Sequence, residues 1–198
     1  MKKFLNKIIK EKNDRGFTII ETLVAVFILV LSITGPMVFA QSGLRTAFLA
    51  RDQITAFYLA QDAIETIKNM RDNNALQNSN NWLDNILSVC VERAGELCIV
   101  TINTILERDV IRPQLSMCSS ESCPPLMTDD NGRFGYNLTS RGASNSRFTR
   151  TVYLKEVVAG KQLEIVVEVK WKSNVGINES RIVVQENIFN WIPGQQDN

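Results

Sequence analysis

Histidine is absent from all 198 residues of the chain. That removes Ser-His and Cys-His nucleophile pairs, His-ligated metals and a side chain that titrates near neutrality. Cysteine is sparse, with only Cys90, Cys98, Cys118 and Cys123. Charge of either sign is nearly balanced at a net +1. Residues 1–16 hold six cations against two acids, so the chain from Phe17 onward carries 16 positive and 19 negative side chains. A mildly acidic body disfavours broad electrostatic binding to nucleic acid. The longest absence is local: no charged residue occurs from Thr22 to Leu44, a stretch of 23 residues.

An uncharged run of that length, rich in Leu, Val, Ile and Phe, is long enough to cross a bilayer as a helix. The segment before it holds Lys2, Lys3, Lys7, Lys10, Lys12 and Arg15 with Glu11 and Asp14. By the positive-inside rule these residues stay on the cytoplasmic side, and the chain beyond the run is exported. Three readings compete for the run itself. Val38-Phe39-Ala40 fits an ordinary signal-peptidase site with cleavage before Gln41. An uncleaved anchor needs no further feature. Glu21 favours the third reading. A carboxylate just inside an apolar helix costs a few kcal/mol and is kept for a partner. A cut between Gly16 and Phe17 would create an α-amine at the same depth, and the helix N-terminus also favours a nearby carboxylate.

The residues Gly16-Phe17-Thr18-Ile19-Ile20-Glu21-Thr22-Leu23-Val24-Ala25 resemble the class III signal of type IV pilins and type II secretion pseudopilins. The resemblance implies that a membrane prepilin peptidase cuts after Gly16 and methylates Phe17. It implies that Glu21 docks incoming subunits through the Phe17 amine of a neighbour. The implied partners are the peptidase, other pilin or pseudopilin subunits, an inner-membrane assembly platform and membrane lipid, with no nucleic acid. The implied location is a single-pass inner or cytoplasmic membrane protein, head outside, which later enters an extracellular or periplasmic filament. Within this family a minor pilin of the modification type fits the size and cysteine content. A secretion pseudopilin, or a filament-tip module for adhesion or DNA uptake, is the alternative.

The chain divides into a basic leader (1–16), a transmembrane and polymerisation helix (17–40), an amphipathic continuation (41–75), a head (76–192) and a tail (193–198). Gly35-Pro36 is expected to break or loosen the helix, because proline removes a backbone donor and crowds the preceding turn. Past Gln41, Ala47, Ala50, Ile54, Phe57, Ala60, Ile64 and Ile67 recur at three- and four-residue steps and predict a buried stripe. Arg51, Asp52, Gln61, Asp62, Glu65 and Lys68 fall off it. The helix is expected to end at Asp72-Asn73-Asn74.

In the head, Ser79-Asn80-Asn81 can cap a short helix with Trp82, Ile86, Val89 and Cys90 on one side. The β-branched run Cys98 to Ile102 predicts a strand. Residues 113–146 read as irregular loop. Strands follow at Arg150–Val157, around Leu163 to Trp171 and at Arg181–Ile188, with a turn at Ala159-Gly160. In the middle strand Leu163, Ile165, Val167, Val169 and Trp171 alternate with Gln162, Glu164, Val166, Glu168 and Lys170, so Glu164, Glu168 and Lys170 are expected on a solvated face. Short connections favour an antiparallel meander, whose apolar face the amphipathic helix can cover. The fold class is therefore α+β, a long N-terminal helix packed under a C-terminal antiparallel sheet.

The even number of cysteines in an exported head favours disulfides, with nearest-neighbour pairing Cys90–Cys98 and Cys118–Cys123. A four-thiolate zinc site would want close CxxC pairs, which are missing. Asp129-Asp130-Asn131-Gly132 is the one ligand-like cluster, a weak Ca²⁺ candidate that lacks EF-hand spacing and also reads as a turn. Asn137-Leu138-Thr139 and Asn178-Glu179-Ser180 match a glycosylation sequon and are assigned no role. No acid–base pair, phosphate loop or nucleophile motif stands out, so neither an enzyme nor a cofactor is expected.

Overall fold

A computed structural model describes residues 16–77, 81–86, 90, 97–105, 110–118, 122–173 and 179–191. The basic leader through Arg15, the cap residues Ser79 and Asn80, Val89, Asn178 and the tail lie outside the described residues. The chain divides into two compact units, Met1–Ala47 and Phe48–Asn198. One helix, α1, runs through Ile19–Leu76 and contributes to both.

In the first unit α1 is exposed along its whole length. In the second unit it buries Asp52, Ala56, Leu59, Ala60, Ala63, Ile64, Ile67 and Met70. The expected stripe is thus rotated. Ala60, Ile64 and Ile67 lie in the core, but Ala50, Ile54 and Phe57 are exposed, and Asp52 is buried. The physical reason is the three alanines at 56, 60 and 63. They let the sheet approach the helix closely, which larger side chains at 54 and 57 would prevent. The helix also outlasts its expected end. Asn74 does not stop it but donates through Nδ2 to Trp82 O at 3.1 Å and Asp84 O at 2.8 Å, fastening the last turn to the segment that follows.

That segment forms turns over 82–86, where a regular helix was expected. Asn85 has φ 59°, which a regular right-handed helix does not accommodate. Trp82, Leu83, Ile86 and Cys90 are nevertheless buried, so the apolar pattern holds through the turns over 82–86, and Cys90 itself is helical.

Among the described residues seven strands follow: β1 (Cys98–Ile105), β2 (Val110–Met117), β3 (Pro125–Thr128), β4 (Phe134–Gly135), β5 (Ser144–Val158), β6 (Gln162–Lys172) and β7 (Glu179–Phe189). They make one antiparallel sheet ordered β2-β1-β5-β3-β4, with β6 joined to β5 and β7 to β6. β5, β6 and β7 form the expected meander. Residues 113–146, read as loop, in fact contribute the end of β2, then β3, β4 and the start of β5. Their prolines are compatible with strand because of where they sit. Pro113 is in β2, which pairs with β1 alone, and Pro125 opens β3.

β5 is the spine of the sheet. It pairs with β6 from Phe148 to Val158, with β3 from Ser144 to Thr149 and with β1 at Val152. Phe148, Val152 and Leu154 from β5, the odd-numbered residues Leu163 to Trp171 of β6, and Ile188 of β7 complete the core with the helix. Glu168 departs from its expected place on a solvated face. It is only 7% exposed, with Lys170 at 3.2 Å and Arg181 at 3.4 Å as ion-pair partners.

Within the core one cation joins three elements. Arg150 of β5 is 4% exposed. Its Nη1 donates to Leu59 O at 2.9 Å and Asp62 Oδ2 at 2.8 Å on α1, and its Nη2 to Val100 O at 3.2 Å on β1. The Tyr136 hydroxyl donates back to Arg150 O at 3.1 Å. Arg150→Met should lower the unfolding free energy of the full-length protein by about 2–4 kcal/mol, because the carbonyls and Asp62 lose a charged donor fork. Arg150→Lys should recover part of that loss, since an ammonium replaces the charge but not the planar fork. Denaturant unfolding in detergent, followed by circular dichroism, measures both.

Candidate functional site

The candidate site is the start of α1. Gly16 and Phe17 precede the helix, and Thr18 caps it. The Thr18 carbonyl accepts from Glu21 N at 3.0 Å and Thr22 N at 3.1 Å, and its Oγ1 accepts from Glu21 N at 3.3 Å. Threonine followed three residues later by glutamate is the spacing of a capping box. The side-chain carboxylate of Glu21 therefore sits in the first turn, where unpaired amide N–H groups favour negative charge. Phe17 is 77% exposed and Glu21 is exposed as well. The junction is open to an enzyme or a neighbouring chain.

Beyond the first turn the helix is long and apolar enough to cross a membrane, with none of the apolar window buried. Its few hydroxyls are satisfied internally. Ser32 Oγ donates to Ile28 O at 2.6 Å and Leu29 O at 3.0 Å, and Thr34 Oγ1 to Val30 O at 3.0 Å. Such back-bonding removes the cost of placing a hydroxyl in hydrocarbon. Gly35 and Pro36 do not end the helix: α1 passes through both. A Cβ built at Gly35 would meet nothing within 4 Å. What the proline takes away is one backbone donor, a loss a single turn of an otherwise bonded helix can absorb.

The cysteines lie in the second unit, as the bonds Cys90–Cys98 and Cys118–Cys123, with no free cysteine. Both close at one end of the β1–β2 hairpin, where Cys98 pairs in register with Met117 and Cys118 N donates to Leu97 O at 2.7 Å.

Asp129, Asp130 and Asn131 form a closed turn. Asp129 accepts from Asn131 N at 3.0 Å and Arg133 N at 3.0 Å, from Arg133 Nε at 2.9 Å and from Ser140 Oγ at 2.9 Å. The Arg133 guanidinium stands where a cation would, and Asp130 is turned toward Gly142. Among the described residues no cluster of three acidic, cysteine or histidine side chains could hold a metal.

Residues 12–35 match the family model described as the prokaryotic N-terminal methylation motif. The match takes in the junction, Glu21 and the apolar run as far as Gly35. The chain carries this motif on a long apolar helix, which supports a pilin-like or pseudopilin-like substrate of a prepilin peptidase and a membrane-anchored, single-pass protein. No curated protein and no solved structure matches the chain.

The hydrogen bonds from Arg133, the backbone N–H of that residue first, hold the Asp129 carboxyl down at about 2. A depressed carboxyl adds stability above its ordinary range, and that contribution is lost as pH falls toward its folded value. Asp129→Asn should therefore lower the thermal midpoint at pH 7. The difference from the parent should shrink between about pH 4 and pH 2 and vanish below it. Paired melts across that range measure the effect.

Proposed function

We propose that the chain is a structural subunit of a type IV pilus-like filament, made as a precursor and assembled through α1. A prepilin peptidase cuts between Gly16 and Phe17 and methylates the new amine. Residues 17–40 hold the mature chain in the membrane with its head outside, until an inner-membrane platform extracts it. Glu21 then meets the Phe17 amine of a neighbour. The observation that carries this reading is the position of Glu21: an exposed carboxylate in the first turn of α1, directly before the uncharged run Thr22 to Leu44 and four residues past the proposed cut. In lipid such a group is costly alone and favourable once an amine neutralises it. The size of the head and its two disulfides favour a minor pilin of the modification type over an abundant subunit. A secretion pseudopilin would use the same N-terminal chemistry.

Mass spectrometry of the N-terminus of the membrane-associated protein tests the proposal. A methylated Phe17 supports it; Gln41 would indicate an ordinary secreted protein and Met1 an uncleaved anchor. Gly16→Leu should leave the precursor uncut, and a mature chain beginning at Phe17 in that variant would refute the site. Glu21→Ala should leave insertion and cleavage intact and reduce recovery in sheared filaments by tenfold or more, taking about 1.4 kcal/mol or more for a desolvated ion pair. Wild-type recovery of that variant would remove Glu21 from the docking role.

A further inference from the structure

Among the described residues the sheet ends on β2, β4 and β7. β2 carries Pro113 and β4 has two residues, and both features discourage a foreign strand from adding. β7 has neither: its 11 residues include no proline, glycine or lysine, and it pairs with β6 in one unbroken register. The direction of its backbone groups follows from one bond. Asn190 N donates to Lys161 O at 3.0 Å, one step beyond the last β6–β7 pair. Bonded pairs recur at every second residue of an antiparallel ladder, so the even-numbered residues of β7 bond to β6. Arg181, Val183, Gln185, Asn187 and Phe189 then turn their N–H and C=O groups to the open edge, where no described strand meets them. The side chains of β7 that face α1 are incompletely covered: Ser180, Ile182, Val184 and Glu186 are half-buried and only Ile188 is buried. Ile182 lines a shallow groove of about 380 Å³ with Gln53, Ile54, Phe57 and Tyr58 of α1. The groove is bounded by charges of opposite sign. Arg51 stands before it on the helix and makes no ion pair among the described residues. Glu65 stands after it and shares Lys68 with Glu186, so that end has two carboxylates for one ammonium.

We propose that the open edge of β7 binds an extended segment of another polypeptide, which adds to the sheet as a further strand antiparallel to β7. Its backbone meets the N–H and C=O groups of the odd-numbered residues, and every second side chain is apolar and enters the groove. Charge sets the direction and register. An antiparallel strand begins beside the end of β7, near Glu186, so a cation comes first and an acid six residues later meets Arg51. Six strand steps cover about 20 Å. The helix from Arg51 to Glu65 covers about 21 Å. A second β7 fits poorly. In the three antiparallel registers that overlap most, with odd-numbered residues of both strands on the shared edge, Glu186 falls opposite Ser180, Ile182 or Val184 and gains no cation. Every group in the site belongs to the second unit, so it stands whether or not the chain enters a filament.

The test titrates the full-length protein in detergent against the fluorescein-labelled peptide Lys-Thr-Val-Thr-Val-Thr-Glu, amidated at its C-terminus, and reads anisotropy above that of empty micelles. With the valines in the groove, the threonines lie opposite the odd-numbered residues and carry the backbone bonds to β7. N-methylation of the threonines should therefore weaken binding about tenfold or more, and N-methylation of the valines less than about twofold. The reversed sequence Glu-Thr-Val-Thr-Val-Thr-Lys should bind about threefold more weakly, the scale of a surface ion pair. Ile54→Lys, a change on the exposed flank of the helix, should cost about threefold through the lost apolar contact. Equal losses from the two methylations would overturn the ladder, and equal binding of the reversed peptide would overturn the charge assignment. No binding of the unmodified peptide would overturn the site as stated. A two-copy species in the same sample that Ile54→Lys dissolves would then give the edge to a second copy. Binding gained only on truncation after Trp191 would give it to the chain's own residues 192–198.

Discussion

Arg150 is the contact on which the packing of the head depends. A guanidinium taken out of water is costly unless its donors are used, and here three bonds from its two Nη atoms reach two residues on one turn of α1 and one residue of β1. Its own strand, β5, pairs with three others, so the same residue sits where sheet and helix must agree in register. The Tyr136 hydroxyl closing on its carbonyl ties in the segment after β4. Nearer the start of the second unit a similar device recurs: Arg147 reaches the buried Asp52 at 2.8 Å and lies over the Phe148 ring. Cations from β5 thus meet carboxylates of α1 at two heights about three turns apart, which fixes the helix along its axis as well as against the sheet.

That fixing matters because α1 has two separate duties. Its inner face in the head is made of small and branched residues that the sheet covers completely. Its apolar surface before Phe48 has no cover among the described residues and suits lipid or another helix. If a membrane subunit is drawn out by its helix, force passes to the head through contacts that are buried and polar, and such contacts hold direction as well as position. The disulfides reinforce the end of the β1–β2 hairpin, at a point where pairing with β5 is limited to Cys98 and Val152.

Much of the functional reading needed only local order. The basic leader, the Gly16–Phe17 junction, Glu21 and the uncharged run are consecutive, and their chemistry depends on chain order and hydropathy. The β5–β6–β7 meander was similarly legible, because strict alternation from Leu163 to Trp171 reports a half-buried strand directly. Phe57 and Ile54 misled for an equally physical reason. Both belong to a three- and four-step pattern, but a helix with an apolar outward patch has two such patterns, and hydrophobicity alone cannot rank them.

What the sequence by itself determined is the N-terminal methylation motif, the long apolar run and the α+β plan, all set by runs and periods within a few turns of chain. Only the tertiary structure decided which face of α1 is core, that Asp52 and Glu168 are buried, that β3, β4 and the ends of β2 and β5 within 113–146 join the sheet, and that Arg133 fills the Asp129 turn. All but the last depend on a partner distant in sequence or on the space left by alanines at 56, 60 and 63; Arg133 and Asp129 are only four residues apart, and there the shape of the turn decides. A side chain's burial or charge pairing is a property of its neighbours, and those become neighbours only when the sheet closes on the helix.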